Sequence, residues 1–137
     1  SFLDNYGVKH GQVLLSCSGT IGRTSFVNRT LEGYCVSQHA LKITANYAGY
    51  VYAYLSTEVG RSIVKSFTYG AVIDEIEPEH LKNLPIPNAP EEIKRSIHES
   101  VIASYDLRDQ SNDLIDEAQL RCILSFARNQ GDSLSDF

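Results

Sequence analysis

The sequence predicts an α+β fold, with a small mixed α/β domain followed by one long C-terminal helix. Three observations predict it. Short apolar runs punctuated by glycine fill residues 11–44. The apolar period lengthens to a helical one over residues 50–67. No Gly or Pro interrupts the chain from Glu91 to Arg128, a span too long for anything but helix in an ordered chain.

The elements follow in order. Gln12-Val13-Leu14-Leu15-Ser16 is an apolar run between Gly11 and a Ser18-Gly19 turn, and it reads as a buried strand. Ser18 to Gly22 is a tight connection whose glycines adopt backbone angles that other residues resist. Arg23 to Val27 resumes as a strand, which makes a hairpin. Asn28 to Gly33 is polar and turn-like, and Tyr34 to Ser37 and Ala40 to Thr44 are further strand candidates. Tyr50, Val51, Tyr54 and Leu55, then Val59, Ile63, Val64 and Phe67, repeat at helical spacing, as two short helices or one bent near Gly60. Tyr69 to Ile73 reads as a turn leading into a strand. Pro78 opens a short helix through Leu84, because proline suits the first helical turn. Leu84-Pro85-Ile86-Pro87-Asn88-Ala89-Pro90 is an extended joint.

A helix of about 38 residues from Glu91 would be roughly 57 Å long. Ile93, Ile97, Val101, Leu107, Leu114 and Ala118 repeat near a coiled-coil period, with Ser104 and Ser111 weakening the seam. Such a stripe needs a partner. From Gly131 the chain reads as a frayed polar tail. The expected divisions are a domain over 1–89, the helix over 90–128 and the tail over 129–137.

Bulk composition narrows the function classes. Apolar residues make up 42% of the chain, enough for a core, but no run approaches a membrane span. The start, Ser1 to Tyr6, has neither an initiator Met nor the basic and apolar regions of a signal peptide, and it reads as the beginning of a fragment. Cys17, Cys35 and Cys122 are an odd, unclustered set, which fits free thiols in a reducing cytoplasm. His10, His39, His80 and His98 have no metal-ligand spacing with those cysteines. The net charge of −5 is unevenly spread. Residues 1–73 hold six basic and three acidic groups, whereas residues 74–137 hold six basic and fourteen acidic ones. Only the first half offers a polyanion a favourable field.

The ordered motifs point further. Gly11-Gln12-Val13-Leu14-Leu15-Ser16-Cys17-Ser18-Gly19-Thr20-Ile21-Gly22-Arg23 resembles the strand–turn–strand signature of target-recognition domains in the DNA-specificity subunits of type I restriction–modification systems. Ser37-Gln38-His39 is similar to their next motif. Tyr52-Ala53-Tyr54-Leu55-Ser56, with Gly60, resembles their helical segment. Tyr69-Gly70-Ala71-Val72, then Ile76, Leu81 and Leu84-Pro85-Ile86-Pro87, is similar to their closing pattern, and the long helix to their spacer. The resemblance covers residues 11–120. Gln12 stands where the family usually has an acidic residue, and one spacer helix stands where there are usually two. The earlier half of a recognition domain is expected before Ser1.

The resemblance implies a non-catalytic protein. Two recognition domains each read half of a split double-stranded DNA site, and antiparallel spacer helices set the gap. A methyltransferase subunit binds S-adenosylmethionine and methylates adenine, and a restriction subunit cuts. The chain itself would hold no cofactor and no metal. A half-sized subunit would build the same ruler by homodimerising through its helix along Ile93, Ile97, Val101, Leu107, Leu114 and Ala118.

The residues it implies for DNA contact are Ser18, Thr20, Arg23, Thr24, Lys65, Thr68 and Tyr69. Basic side chains neutralise phosphate, and polar ones read base edges. Against this stand plainer roles: Gly19, Thr20 and Gly22 as turn formers, Tyr69 as core, and Tyr50, Tyr52 and Tyr54 as interior and rim.

Three other readings compete. Cys17, Ser18 and His39 suggest nucleophilic catalysis, but Ser16-Cys17-Ser18-Gly19 lacks a nucleophile-elbow pattern, and a cysteine in a buried strand is inert packing. The acidic run Asp74 to Glu79, with His80 and Lys82, suggests a magnesium site, but carboxylates beside a proline-started helix also complement its dipole. A pure interaction or decoy module, with the helix as a dimerisation device and no DNA binding, is the third.

Overall fold

The computed structural model describes residues 6–69 and 75–134, with side chains as far as residue 129. Three strands, β1 (Val13–Ser16), β2 (Thr24–Phe26) and β3 (Ala40–Ile43), form an antiparallel sheet in the order β2-β1-β3. Val13 faces Phe26 on one side and Ile43 on the other, and Leu15 faces Thr24 and Leu41. Four helices accompany them among the described residues: α1 (Ala48–Ser56), α2 (Glu58–Ser66), α3 (Pro78–Lys82) and α4 (Glu91–Leu134). This is the α+β architecture with a long terminal helix that the sequence predicts.

Strand β1 is central because its inward positions are apolar at period two. Val13, Leu15 and the next such residue, Cys17, are essentially inaccessible. They divide between two packing clusters. Val13 joins Phe26 and Ala48 beneath Val101, Ile102 and Tyr105 of α4. Leu15 and Cys17 join Val51, Leu55, Val64 and Ile76, against α1 and α2. Each large apolar side chain so buried contributes about 1.5–3 kcal/mol. The two ends of one strand therefore serve different neighbours: the Val13 end holds the long helix, and the Cys17 end holds α2.

The helical segment breaks at Thr57, not at Gly60. Thr57 is extended, and its hydroxyl accepts the Gly60 N–H at 3.0 Å, capping α2. Gly60 makes the corner possible by its lack of a side chain, since a Cβ there would lie 2.3 Å from the carbonyl oxygen of Tyr54. Helix α3 starts at Pro78 as expected and ends at Lys82, with His80 Nδ1 accepting the Glu77 N–H at 3.0 Å. The proline-rich joint is tied down by two tyrosines of α1. Tyr50 Oη donates to Pro87 O at 2.8 Å, and Tyr54 Oη to Pro85 O at 2.9 Å.

Two expectations are corrected. Tyr34 to Ser37 is not a strand. Only an isolated bridge between Gly7 and Cys35 forms there, because the neighbouring backbone is committed to successive turns from Asn28 to Tyr34. The long helix also passes Arg128 and includes Asn129 to Leu134, so the tail expected over 129–137 is helical for its first six residues. Gly131 costs a helix about 1 kcal/mol but does not stop it without a following proline. The 44 residues span about 66 Å. The turn and strand expected at Tyr69 to Ile73 lie largely outside the described residues. The chain re-enters at Glu75, which bridges Ser18, and the Ile76 N–H donates to Cys17 O at 2.8 Å.

Candidate nucleic-acid interface

The hairpin turn between β1 and β2 is held by the backbone and the hydroxyl of Ser16. Ser16 Oγ donates to Thr20 O and accepts the Arg23 N–H at 2.9 Å, while the Gly22 N–H donates to Ser16 O at 3.0 Å. Gly22 has φ +85°, where an L side chain is strained. It is buried against α2: a Cβ placed on it would sit 3.7 Å from Arg61 O and 3.8 Å from Lys65 Cγ. Thr24 Oγ1 pairs with Ser56 Oγ at 2.8 Å, fixing β2 to the end of α1. The turn is thus pinned to the α1–α2 corner at two points.

This pinning decides which expected residues share a surface. Arg23 flanks the Gly22 contact and is exposed, and Lys65 is exposed on the helix that Gly22 touches. Thr68 and Tyr69 follow α2 directly. The Thr68 hydroxyl caps Lys65 O at 2.7 Å, and Tyr69 is 77% exposed, so it is not a core residue. Thr20 lies on the exposed turn, but Thr24 is half buried and engaged with Ser56. Ser18 stands at the turn's entry, where its Oγ lies 2.5 Å from His39 Nδ1. Arg61, which sequence reasoning passed over, joins the same surface. Its spacing of four from Lys65 on one helix face was the available signal.

Of the three catalytic candidates, Ser18 and His39 are brought within hydrogen-bond distance, whereas Cys17 is buried. Cys17 is 1% exposed, and burial, then the Glu75 carboxylate, push its thiol above the ordinary range, so the thiolate is disfavoured. In the Ser18–His39 pair, His39 is exposed and Ser18 is half-buried. Within the described part of the acidic run, Glu79 pairs with Lys82, and the Glu77 N–H is capped by His80 Nδ1. Among the described residues, no group of three or more His, Cys, Asp or Glu side chains is placed to hold a metal ion. No described helix is long and apolar enough to cross a membrane.

The other functional feature is the junction between domain and helix. The Gly49 N–H donates to His98 Nδ1 at 3.0 Å, and Tyr105 Oη donates to Tyr52 Oη at 3.0 Å. Tyr105 also packs on Phe26, with ring centroids 5.2 Å apart. Asp109, 3% exposed, accepts from Asn28 Nδ2 and Thr30 Oγ1 at 2.6 Å each. Arg29 pairs with Asp113 at 2.7 Å.

The expected helix seam is therefore divided. Val101 is spent on the chain's own domain and Ile97 is half buried, whereas Ile93, Leu107, Leu114 and Ala118 face outward. Beyond Asp113, Leu114, Ile115, Ala118, Cys122 and Phe126 share one exposed side, and Leu120, Ile123 and Leu124 take the opposite one.

A scan against protein-family models found no match for this chain, and searches of curated proteins and of solved structures found none either.

Proposed function

We propose that this chain is the later part of a target-recognition domain, with its spacer helix, from a type I restriction–modification specificity subunit. It binds double-stranded DNA in a sequence-specific manner and is not itself an enzyme. It directs a methyltransferase subunit, which carries S-adenosylmethionine, and a restriction subunit to a split site in the cytoplasm. A second copy, or a second spacer within a longer chain, covers the outward seam of α4 at Ile93, Leu107, Leu114 and Ala118.

One observation carries the reading. The first of the motifs that resemble the family lies on a turn that sets Arg23 beside the Lys65 face of α2, within a domain docked on a 44-residue helix. A rigid reading head on a rod is the arrangement a split-site ruler requires, because half-site spacing is meaningful only if the joint does not swing.

The apolar character of α4 on both sides beyond Asp113 favours a second reading, a protein-interaction module that does not bind DNA. One experiment separates them. The chain, in its longest natural form, is co-expressed with its neighbouring methyltransferase subunit in a methylation-free host, and adenine methylation is mapped by long-read sequencing. A new split methylated motif that requires this chain supports the specificity-subunit reading. A stable complex without methylation supports the interaction module. The absence of both complex and methylation removes the family reading.

A further inference from the structure

We propose that Arg61 joins Arg23 and Lys65 in a clamp for the phosphate backbone of duplex DNA. This rests on the DNA-binding reading and deepens it, by assigning the sequence-independent part of binding to three named cations.

Three observations converge. Arg61 and Lys65 are four residues apart on α2, so they stand on one face about 6 Å apart along the axis. Gly22 is buried against α2, where a Cβ on it would lie 3.7 Å from Arg61 O and Val64 Cγ1 and 3.8 Å from Lys65 Cγ, so its neighbour Arg23 stands beside this helix. All three are exposed, and among the described residues none is paired with a carboxylate. Of the other cations of residues 1–73, Arg29 is committed to Asp113 and Lys42 to Gly7 O, while Lys9 is exposed near the Val13 end of β1.

Glycine is called for at position 22 by its backbone, whose φ of +85° an L side chain rarely adopts, rather than by the space beside α2. Three positive side chains held at a pinned corner suit a polyanion, whose charges repeat at close intervals along a stiff rod. Such contacts fix orientation and affinity without reading sequence. The Ser18–His39 pair and Tyr69 then remain as the polar and aromatic groups that face the bases.

The test is the salt dependence of binding to a labelled duplex of random sequence, by fluorescence anisotropy, for the full chain and for Arg23→Gln, Arg61→Gln and Lys65→Gln. Each phosphate contact contributes about 0.9 to the slope of log affinity against log salt. Each variant is therefore expected to lower the slope by about 0.9 and the triple variant by about 2.7, while Arg121→Gln on α4 leaves it unchanged. Circular dichroism confirms that the variants fold, as exposed side chains should allow. If the parent binds duplex and the slopes of the variants match it, the clamp is wrong and the DNA-binding reading stands. If the folded parent fails to bind duplex even at low salt, both are overturned.

Discussion

Gly49→Ala tests the docking of α4 on the domain. A Cβ on Gly49 would lie 2.8 Å from the carbonyl oxygen of His98, 2.9 Å from its Cα and 2.9 Å from its Nδ1. Ordinary contact begins near 3.4 Å, so α4 must retreat by about 0.6 Å or the methyl cannot be housed. A gap of that size forfeits roughly a quarter or more of each dispersion contact across the interface. Overpacking of this kind costs about 1–3 kcal/mol, while alanine in place of glycine returns up to about 1 kcal/mol of helix propensity. The net expectation is a loss of about 1–2 kcal/mol, read as a lower urea midpoint. Two of the three close contacts are to the backbone of His98. Trimming the imidazole in a Gly49→Ala/His98→Ala double variant should therefore relieve little of the penalty. A Gly49→Ala protein as stable as the parent would refute the claim that the helices meet backbone to backbone at this point.

Two further predictions concern the same junction and the core. Asp109→Ala strips the acceptor from Asn28 and Thr30, while Asp109→Asn keeps an acceptor oxygen and removes the charge. With charged hydrogen bonds at about 1.5–3 kcal/mol each, partly offset by relief of a buried carboxylate whose Oδ2 has no partner, the alanine variant should lose about 2 kcal/mol and the asparagine variant under about 1. Equal losses in urea melts would show that charge, not hydrogen bonding, holds the joint. Alkaline pH should also weaken the fold. Burial, then the Tyr52 hydroxyl, raise the Tyr105 phenol above its ordinary 10.0, and burial, then Glu75, raise Cys17 above 9.0. The folded state holds both protons more tightly than the unfolded chain, so this stability is fully present below those ordinary values and falls as pH rises through them. Thermal melts from pH 8 to about 11 should show a decline, shallower in Tyr105→Phe; a flat profile in the parent contradicts the assignment.

Local signals explain what was legible. The alternation of Val13, Leu15 and Cys17, the Pro78 helix start and the uninterrupted run from Glu91 are properties of neighbours in sequence, and each appears in the fold. The failures involve distant partners. Tyr34 to Ser37 has strand-like composition, but only the chain around Gly7 pairs with it, and by a single bridge. The two short helices expected over residues 50–67 do form, parted by the local Thr57 cap on Gly60, whereas the heptad reading of α4 could not anticipate that Val101 would pack with Phe26 or that Tyr105 would be taken by Phe26 and Tyr52. At the candidate interface, Arg23 and Lys65 were legible as cations beside a glycine turn. Their shared surface was not, since it comes from Gly22 lying on α2.

The placement of charge has a mechanical consequence for the proposed role. The Val13 end of β1 packs under α4, and the Cys17 end leads into the turn that carries Arg23. Along α4, Asp106, Asp109, Asp113, Asp116 and Glu117 outnumber the single Arg108 between residues 106 and 117. A duplex laid along this stretch would meet net repulsion, whereas at the opposite end of the strand it meets Arg23, Arg61 and Lys65. In the proposed role, DNA would approach at the end of the strand that carries these cations. The helix is left with outward apolar positions at Leu114, Ile115, Leu120, Ile123, Leu124 and Phe126, which water does not favour and a polyanion does not cover. A single strand of four residues thus separates a surface suited to phosphate from a rod suited to protein. The rigidity of the contacts at Gly49, Tyr105 and Asp109 determines how faithfully a position on one is reported to the other.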